Sequence, residues 1–459
     1  MTRIVLDPLT RIEGHLRIEL DVDSNVVVQA RSSGTSYRGI ENILQGRDPR
    51  DAAHITQRIC GVCPIPHARA ACEAFENAAQ LTPNPQARCI RNIVQASNFI
   101  DSHLLHFYLL ALPDFVSGLP MANSARLGRQ PSTRADGQPL DPKAMAQHAS
   151  TSLRIRRACH ALIVALAGKM PHAAGIVPGG TTVVPSAPLL AELSALATEV
   201  RAFVDGAYAA DVQALASAFP AYADLGTSGA AFLSFGAFPA DDGRLLLPSG
   251  TCGATGAAAQ TQNIDSAAIT ESTACSLYTL AAPSPPNAGL AVPDLQRSDG
   301  YTWIKAPRLA GQPCEVGPLA RAILSARDPG HRGVMARHLA RQSEASLLAG
   351  WIDIWLGELQ PDASGLPSFP NVPLAATGVG LTEGPRGALG HWLDIEASLV
   401  CHYGIVAPTT WNASPRDEHG IPGPMESALQ GVALADPADP IEVLRIVHAF
   451  DPCLQCAVH

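Results

Sequence analysis

Asp451-Pro-Cys453-Leu-Gln-Cys456-Ala-Val-His459, at one end of the chain, has a counterpart near the other end, Arg58-Ile-Cys60-Gly-Val-Cys63-Pro-Ile-Pro-His67. Each Cys-x-x-Cys aims two thiolates at one point, because a tight turn brings both sulfurs to the same side. Four thiolates together close around a soft or borderline transition metal. The pairs bracket most of a 459-residue chain, so a shared site would tie its two ends into one fold. Taken singly, each pair reads about equally well as a zinc knuckle or a redox dithiol. Zinc knuckles, however, are usually compact modules, whereas these pairs enclose a long, apolar, helix-rich sequence. That separation points to a buried central site.

Composition agrees with a large buried core. Apolar residues make up 47% of the chain and charged residues 16%, enough to bury surface internally and against another subunit. The net charge of −9 and the lack of a basic block argue against nucleic acid as a partner. No apolar run approaches the roughly 20 residues that span a bilayer, so no transmembrane segment is expected. Met1-Thr-Arg-Ile-Val-Leu-Asp7 lacks the apolar core and cleavage site of a signal peptide. Eleven cysteines, an odd number, argue against a disulfide framework. The seven outside the two pairs (Cys72, Cys89, Cys159, Cys252, Cys275, Cys314 and Cys401) read as buried thiols acting as small apolar residues.

In chain order, residues 3–31 read as β. Leu16, Ile18, Leu20 and Val22 alternate with polar residues, and Asp23-Ser-Asn25 is turn-like. Residues 39–80 look mainly helical, with Asp48 as a cap and Pro49 in the first turn. A long helix is expected over 86–111; its His103 and His106 read as core histidines bonded to backbone or carboxylate. Residues 117–142 read as a surface excursion. Helices are expected at 143–169, 189–217, 316–326, 333–358 and 439–448. Irregular and β structure is expected over 219–315, and two strands at 390–396 and 398–406. The fold class is mainly α with peripheral β segments (α+β) around a central helical bundle. A single domain over 1–459 is expected, because a split would separate the ligand pairs.

The two cysteine segments resemble the signature segments of the large subunit of nickel–iron hydrogenases. The resemblance extends to Arg11-Ile-Glu13-Gly-His15, Arg38-Gly-Ile-Glu41, Ser102-His-Leu-Leu-His-Phe-Tyr108, Glu315-Val-Gly-Pro-Leu-Ala-Arg321, Gly384-Pro-Arg386-Gly and Ala407-Pro-Thr-Thr-Trp-Asn412. These occur in the family's order and are sparsest around residues 115–300. The reaction so implied is H2 ⇌ 2H⁺ + 2e⁻, most simply in the direction of uptake. It needs a metal site that takes up hydride, a base for the proton and an exit for electrons.

The resemblance implies Cys60 and Cys453 as terminal nickel ligands and Cys63 and Cys456 as bridges to iron. Carbon monoxide and cyanide would complete the iron. Four thiolates and two cyanides leave such a centre with about two excess negative charges, costly to bury unpaired. By resemblance, Arg386 is poised over the metals, with Asp451 near it. Thr409 bonds a cyanide, with Pro385 beside the same ligands, and His67 hydrogen-bonds a bridging thiolate. Glu13 is the first proton relay after Cys453, and a buried carboxylate with a raised pKa suits that task. Val62 and Leu110 match the end of a gas channel. Glu41, the Ile405 carbonyl and His459 would hold magnesium or a similar cation. A chain ending at His459 resembles the form left after removal of a C-terminal extension.

Too few further cysteine motifs remain for an iron–sulfur relay within this chain. An iron–sulfur small subunit is therefore implied, in a heterodimer or larger assembly. Its export signal would decide between a cytoplasmic and a membrane-associated or periplasmic location in a prokaryote. Three other readings compete: a hydrogen-sensing homologue with little turnover, a scaffold like the related respiratory complex I subunit, and a zinc protein. The cysteine quartet argues against the scaffold.

Overall fold

The computed structural model describes residues 1–116, 133–134, 137–138, 140–256, 259–288, 292–366 and 369–459. The strands Thr2–Leu9, Leu16–Asp23 and Val26–Gly34 form an antiparallel sheet in chain order. Leu16, Ile18, Leu20 and Val22 are buried, as their alternation predicts. Ser24 and Asn25 both take the left-handed conformation that a tight two-residue hairpin favours.

The helical stretch expected over 39–80 is interrupted. Short helices Ile40–Leu44 and Ala52–Thr56 precede a long one, Pro64–Ala78. Asp48 accepts the Arg50 N–H at 2.9 Å, and Pro49 opens a 3-10 turn. The break falls at the cysteines: Cys60 is extended, and Pro64 starts the next helix, where its missing N–H costs nothing.

Helix Pro85–Leu105 is capped by Asn84, whose side chain accepts the Ala87 N–H, and runs on into a π-helical segment, His106–Ala111. It packs against helices Pro142–Ala167 and Val334–Glu358, and helix Ala187–Phe203 packs against both of those. These four helices form the expected central bundle. His103 Nε2 lies 2.8 Å from Glu344 and His106 Nε2 lies 2.6 Å from the His448 carbonyl, so both are bonded core histidines. The expected helices at 316–326 and 439–448 appear as Pro318–Leu324 and Ile441–Phe450. The described residues between 219 and 315 include short strands in small sheets joined by irregular segments, as expected. Most of the excursion expected at 117–142 lies outside the described residues.

A third sheet departs from the sequence reading. Strands Gly387–Glu396 and Leu399–Val406 were expected, but a third, Ala375–Gly384, lies beside them. Its sequence, Ala-Ala-Thr-Gly-Val-Gly-Leu-Thr-Glu-Gly, is too glycine-rich to read as a strand. The glycines are required by packing. A Cβ on Gly378 would fall 2.0 Å from the Ala74 carbonyl oxygen, and one on Gly380 would fall 2.1 Å from that of Ala70. The strand thus lies backbone to backbone on helix Pro64–Ala78, whose Ala70, Ala71 and Ala74 are buried.

Gly380→Ala should therefore cost about 1–3 kcal/mol, seen as a lower Tm or loss of soluble protein. Gly206→Ala, with nothing within 4 Å of the added Cβ, should leave the Tm unchanged or slightly raised. Equal Tm values for the two variants would contradict this account of the packing.

Candidate metal centre

The chain ends meet through main-chain contacts. The Leu454 N–H donates to the Glu13 carbonyl at 2.7 Å, and Glu13 forms a bridge with Cys453. The approach is close: a Cβ on Gly14, which has φ +88°, would fall 2.9 Å from Leu454 Cβ. Arg38 staples the other side. Its Nη2 donates to the Arg58 carbonyl at 2.8 Å, and its Nη1 donates to Ile59 and reaches Gln455. Each cysteine pair is thereby held against the other.

The four sulfurs lie within 4.8 Å of one another, and all four residues are buried. Cys60 Sγ is 3.4 Å from Cys453 Sγ, Cys63 Sγ is 3.3 Å from Cys456 Sγ, and Cys453 and Cys456 are 3.0 Å apart. Tetrahedral sulfur ligands at ~2.3 Å from a metal sit ~3.8 Å apart, so little movement is needed to bind one. Hydrogen bonding from the other three cysteines pulls the Cys60 thiol well below its ordinary value, while burial pushes those of Cys453 and Cys456 up. A cation among them would favour thiolate at all four.

A cavity beside the sulfurs is lined by His67, Pro385, Arg386 and Thr409. Arg386 lies at a hairpin corner, because Gly384 pairs with Gly387 and leaves Pro385 and Arg386 between the strands. Its Nε donates to the Asp451 carbonyl at 2.9 Å and its Nη2 to Asp451 Oδ1 at 3.0 Å. Asp451 is positioned by the left-handed turn that ends helix Ile441–Phe450. Burial opposes the charge on Arg386, but Asp451 and the cysteine thiolates outweigh it, and the guanidinium stays charged. Its buried Nη1 has no hydrogen-bond partner among the described residues. Thr409 Oγ1 accepts the Cys453 N–H at 2.9 Å, so its own hydrogen remains to be donated. A closed structural zinc site would leave both donors idle. A centre carrying further acceptor ligands fits them.

His67 is buried, and burial lowers its pKa to about 3, so it is neutral. Its Nδ1 lies 3.2 Å from His391 Nε2, and His391 Nδ1 lies 2.8 Å from Tyr403 Oη. The sequence reading missed His391 and Tyr403: they stand on strands, with no motif to mark them. Burial and the charge of Cys60 raise the Glu13 carboxyl. Val62 lies between the cysteines, and its N–H points to Cys60 Sγ at 3.3 Å. Leu110 is not among the residues lining the cavity; its carbonyl accepts Arg11 Nη1 at 2.6 Å.

Glu41 and His459 also meet, with His459 Nε2 3.5 Å from Glu41 Oε1. The Ile405 contact to Glu41 is through its N–H, at 2.8 Å. Lys305 lies 3.6 Å from Glu41 and 2.8 Å from Glu271. Burial opposes ionisation of Glu41, but Lys305, His459 and the Ile405 N–H lower its pKa to about 2. The remaining cysteines are free, and burial pushes Cys72, Cys89 and Cys314 up to about 12.

Comparison with known proteins gives a consistent result. The family described as nickel-dependent hydrogenase matches residues 38–127, 138–332 and 329–459, and a HoxL-like family matches 3–33. The periplasmic NiFeSe hydrogenase large subunit of Desulfomicrobium baculatum is 37% identical, covering 100% of this chain and 95% of the relative. The hydrogenase-2 large chain of Escherichia coli is 31% identical, over 100% and 97%. A solved structure of the H2-activated D. baculatum NiFeSe hydrogenase superposes with a TM-score of 0.91 at 36% identity, over 100% of both chains.

Two outcomes are expected. Ser in place of Cys60, Cys63, Cys453 or Cys456 should abolish nickel retention in metal analysis of the purified protein, whereas Cys314→Ser should retain it. The depressed pKa of Glu41 means its ion pairs stabilise fully above ~4.3, and that contribution is lost as pH falls toward 2. The Tm of Glu41→Gln should accordingly fall less steeply than that of the unaltered protein between pH 5 and 3.

Proposed function

Because the chain belongs to the nickel-dependent hydrogenase family, as a large, catalytic subunit that cleaves H2, we propose that it works in hydrogen uptake with Cys60, Cys63, Cys453 and Cys456 holding nickel and iron. The reading rests chiefly on one observation: four converging thiols border a cavity where Arg386 Nη1 and the Thr409 hydroxyl have hydrogen atoms to give. Those donors suit cyanide on the iron, with carbon monoxide as its third small ligand and Pro385 packed beside them. Every thiol of this chain is cysteine, so the donor set is sulfur throughout.

When bound, the nickel–iron centre supplies the Lewis acidity that polarises H2 and the capacity to take its two electrons. The chain's own residues manage charge and protons. Arg386, held by Asp451, offsets the excess negative charge of the site. Cys453 accepts the proton as H2 is cleaved. Glu13 receives it next: its main chain is bonded beside Cys453, and burial and the charge of Cys60 raise its carboxyl, which favours taking up a proton. His67 is held through Nδ1 by His391, which would leave Nε2 to hydrogen-bond a cysteine sulfur of the site. Val62 and Leu110 serve gas access.

Glu41, the Ile405 carbonyl and His459 would hold a magnesium-like cation, and the meeting of Glu41 with His459 beside the C-terminal segment supports that reading. The whole chain acts as one domain, because the ligand pairs come from both ends. Among the described residues the quartet is the one group of three or more cysteine, histidine or carboxylate side chains with metal-ligand spacing, which supports an iron–sulfur small subunit as the electron acceptor. The D. baculatum relative is a periplasmic enzyme; a partner-borne export signal would place this chain there too. No helix among the described residues is long and apolar enough to cross a membrane.

Glu13→Gln should keep nickel and iron but lower H2 oxidation and H/D exchange with solvent by ~10²–10⁴-fold. Exchange at the unaltered rate would remove Glu13 from the relay. Infrared spectra of the purified enzyme should show metal-bound cyanide and carbon monoxide bands, and their absence would refute the proposed iron ligands.

A further inference from the structure

Arg386 occupies a corner poorly suited to hold itself. Two-residue hairpin loops favour residues with positive φ, commonly Asn-Gly or Gly-X. Here the corner is Pro385 and Arg386. The proline ring fixes φ near −65°, and Arg386 is not among the residues with positive φ. Pro385 and Gly387 are the residues an ordinary reverse turn favours at its second and fourth positions, but such a turn does not match the twist of paired strands, so contacts from outside the hairpin help to hold this corner.

Arg321 lies fully buried against the corner. Its Nη1 donates to the Gly384 carbonyl and its Nη2 to the Pro385 carbonyl, both at 3.1 Å. These are the two residues immediately before Arg386. The rest of the guanidinium is fixed by carboxylates. Nε and Nη2 donate to the two oxygens of Glu344 at 2.6 and 2.8 Å, and Nη1 also donates to Glu383. Glu344 is held in turn by His103, and Glu383 Oε1 accepts the Phe235 N–H at 2.7 Å. The guanidinium carbon lies 5.2 Å from the centre of the Phe99 ring. The backbone just before Arg321 packs on the same corner: a Cβ on Gly317 would fall 2.9 Å from the Arg386 carbonyl oxygen.

We propose that Arg321 is a positioning residue for hydrogen cleavage: it clamps the Gly384 and Pro385 carbonyls and so sets where Arg386 stands over the thiol cluster. The fork is essential, because one planar group must reach two carbonyls and two carboxylates at once. Lysine carries the same charge but lacks that geometry. The role rests on the reading of Arg386 as the cation beside the metals.

The test uses the intact purified enzyme with its partner subunit. Arg321→Lys keeps a cation for Glu344 and Glu383. Arg91→Lys is the matched control: Arg91 is also a buried fork, bonded to Glu76 and to the carbonyls of Val177 and Gly180, with no contact to the corner. Three quantities are read: the position of Arg386 by crystallography, the infrared cyanide bands, and H2 oxidation. Arg321→Lys should retain nickel, displace Arg386 from Asp451, shift the cyanide bands and lower turnover by ~10- to 100-fold, as expected for a misplaced group. Arg91→Lys should lower the Tm without moving Arg386 or the bands. An unmoved Arg386 in Arg321→Lys, or equal displacement in both variants, overturns the proposal. If Arg321→Lys does not fold, Arg321→Gln combined with Glu344→Gln removes the charge pair together, and the same displacement of Arg386 decides. Absence of cyanide bands in the unaltered enzyme would overturn the iron-ligand reading instead; the position of Arg386 would still decide the role of Arg321.

Discussion

Four sulfur atoms, two from each end of the chain, must share one small buried volume, and the rest of the structure follows from that requirement. Each pair needs its own turn: Cys60 and Cys63 sit at a break between helices, and Cys453 and Cys456 follow the left-handed residue that ends helix Ile441–Phe450. The turns must then be locked together. The main-chain bond from Leu454 to Glu13, the close approach at Gly14 and the Arg38 guanidinium on main-chain carbonyls do this. These contacts also bring Glu13 beside Cys453.

Concentrating thiols in an apolar interior creates an electrostatic problem, and the fold answers it with buried cations. Arg386 meets the cluster directly and is held by Asp451. Behind it, Arg321 is satisfied by two glutamates and two carbonyls. Lys305 bridges Glu41 and Glu271 near His459. Buried charge of this kind contributes little net stability, because desolvation offsets much of the attraction. What it contributes here is position: each guanidinium fork fixes several groups at once, and loops that carry chemistry become as rigid as the bundle behind them.

Much of the centre was legible in the sequence because its chemistry is local. Cys-x-x-Cys announces itself by spacing, and the N-terminal strands and bundle helices by period. The resemblance to hydrogenases supplied a partner for each motif, and the structure brings together Glu13, His67, Arg386, Thr409 and Asp451 around the sulfurs. Less legible were features whose cause lies elsewhere in the chain. Strand Ala375–Gly384 looked like loop, since its glycines answer to the helix beneath it. His391 and Tyr403 become partners of His67 only through strand pairing. The motif ending at Arg321 was visible, but its role was not.

Side-chain type and spacing are properties of neighbouring residues, so the donor set, the periodic elements, the charge balance and the resemblance to the family could be read along the chain. Tertiary structure alone decided that Cys60 faces Cys453 and Cys63 faces Cys456, that Arg386 keeps one nitrogen unpaired, and that Arg321 grips the turn before it. Those facts depend on distances between segments far apart in the chain. Such distances come from packing and hydrogen-bond satisfaction over the whole interior, which no local pattern records.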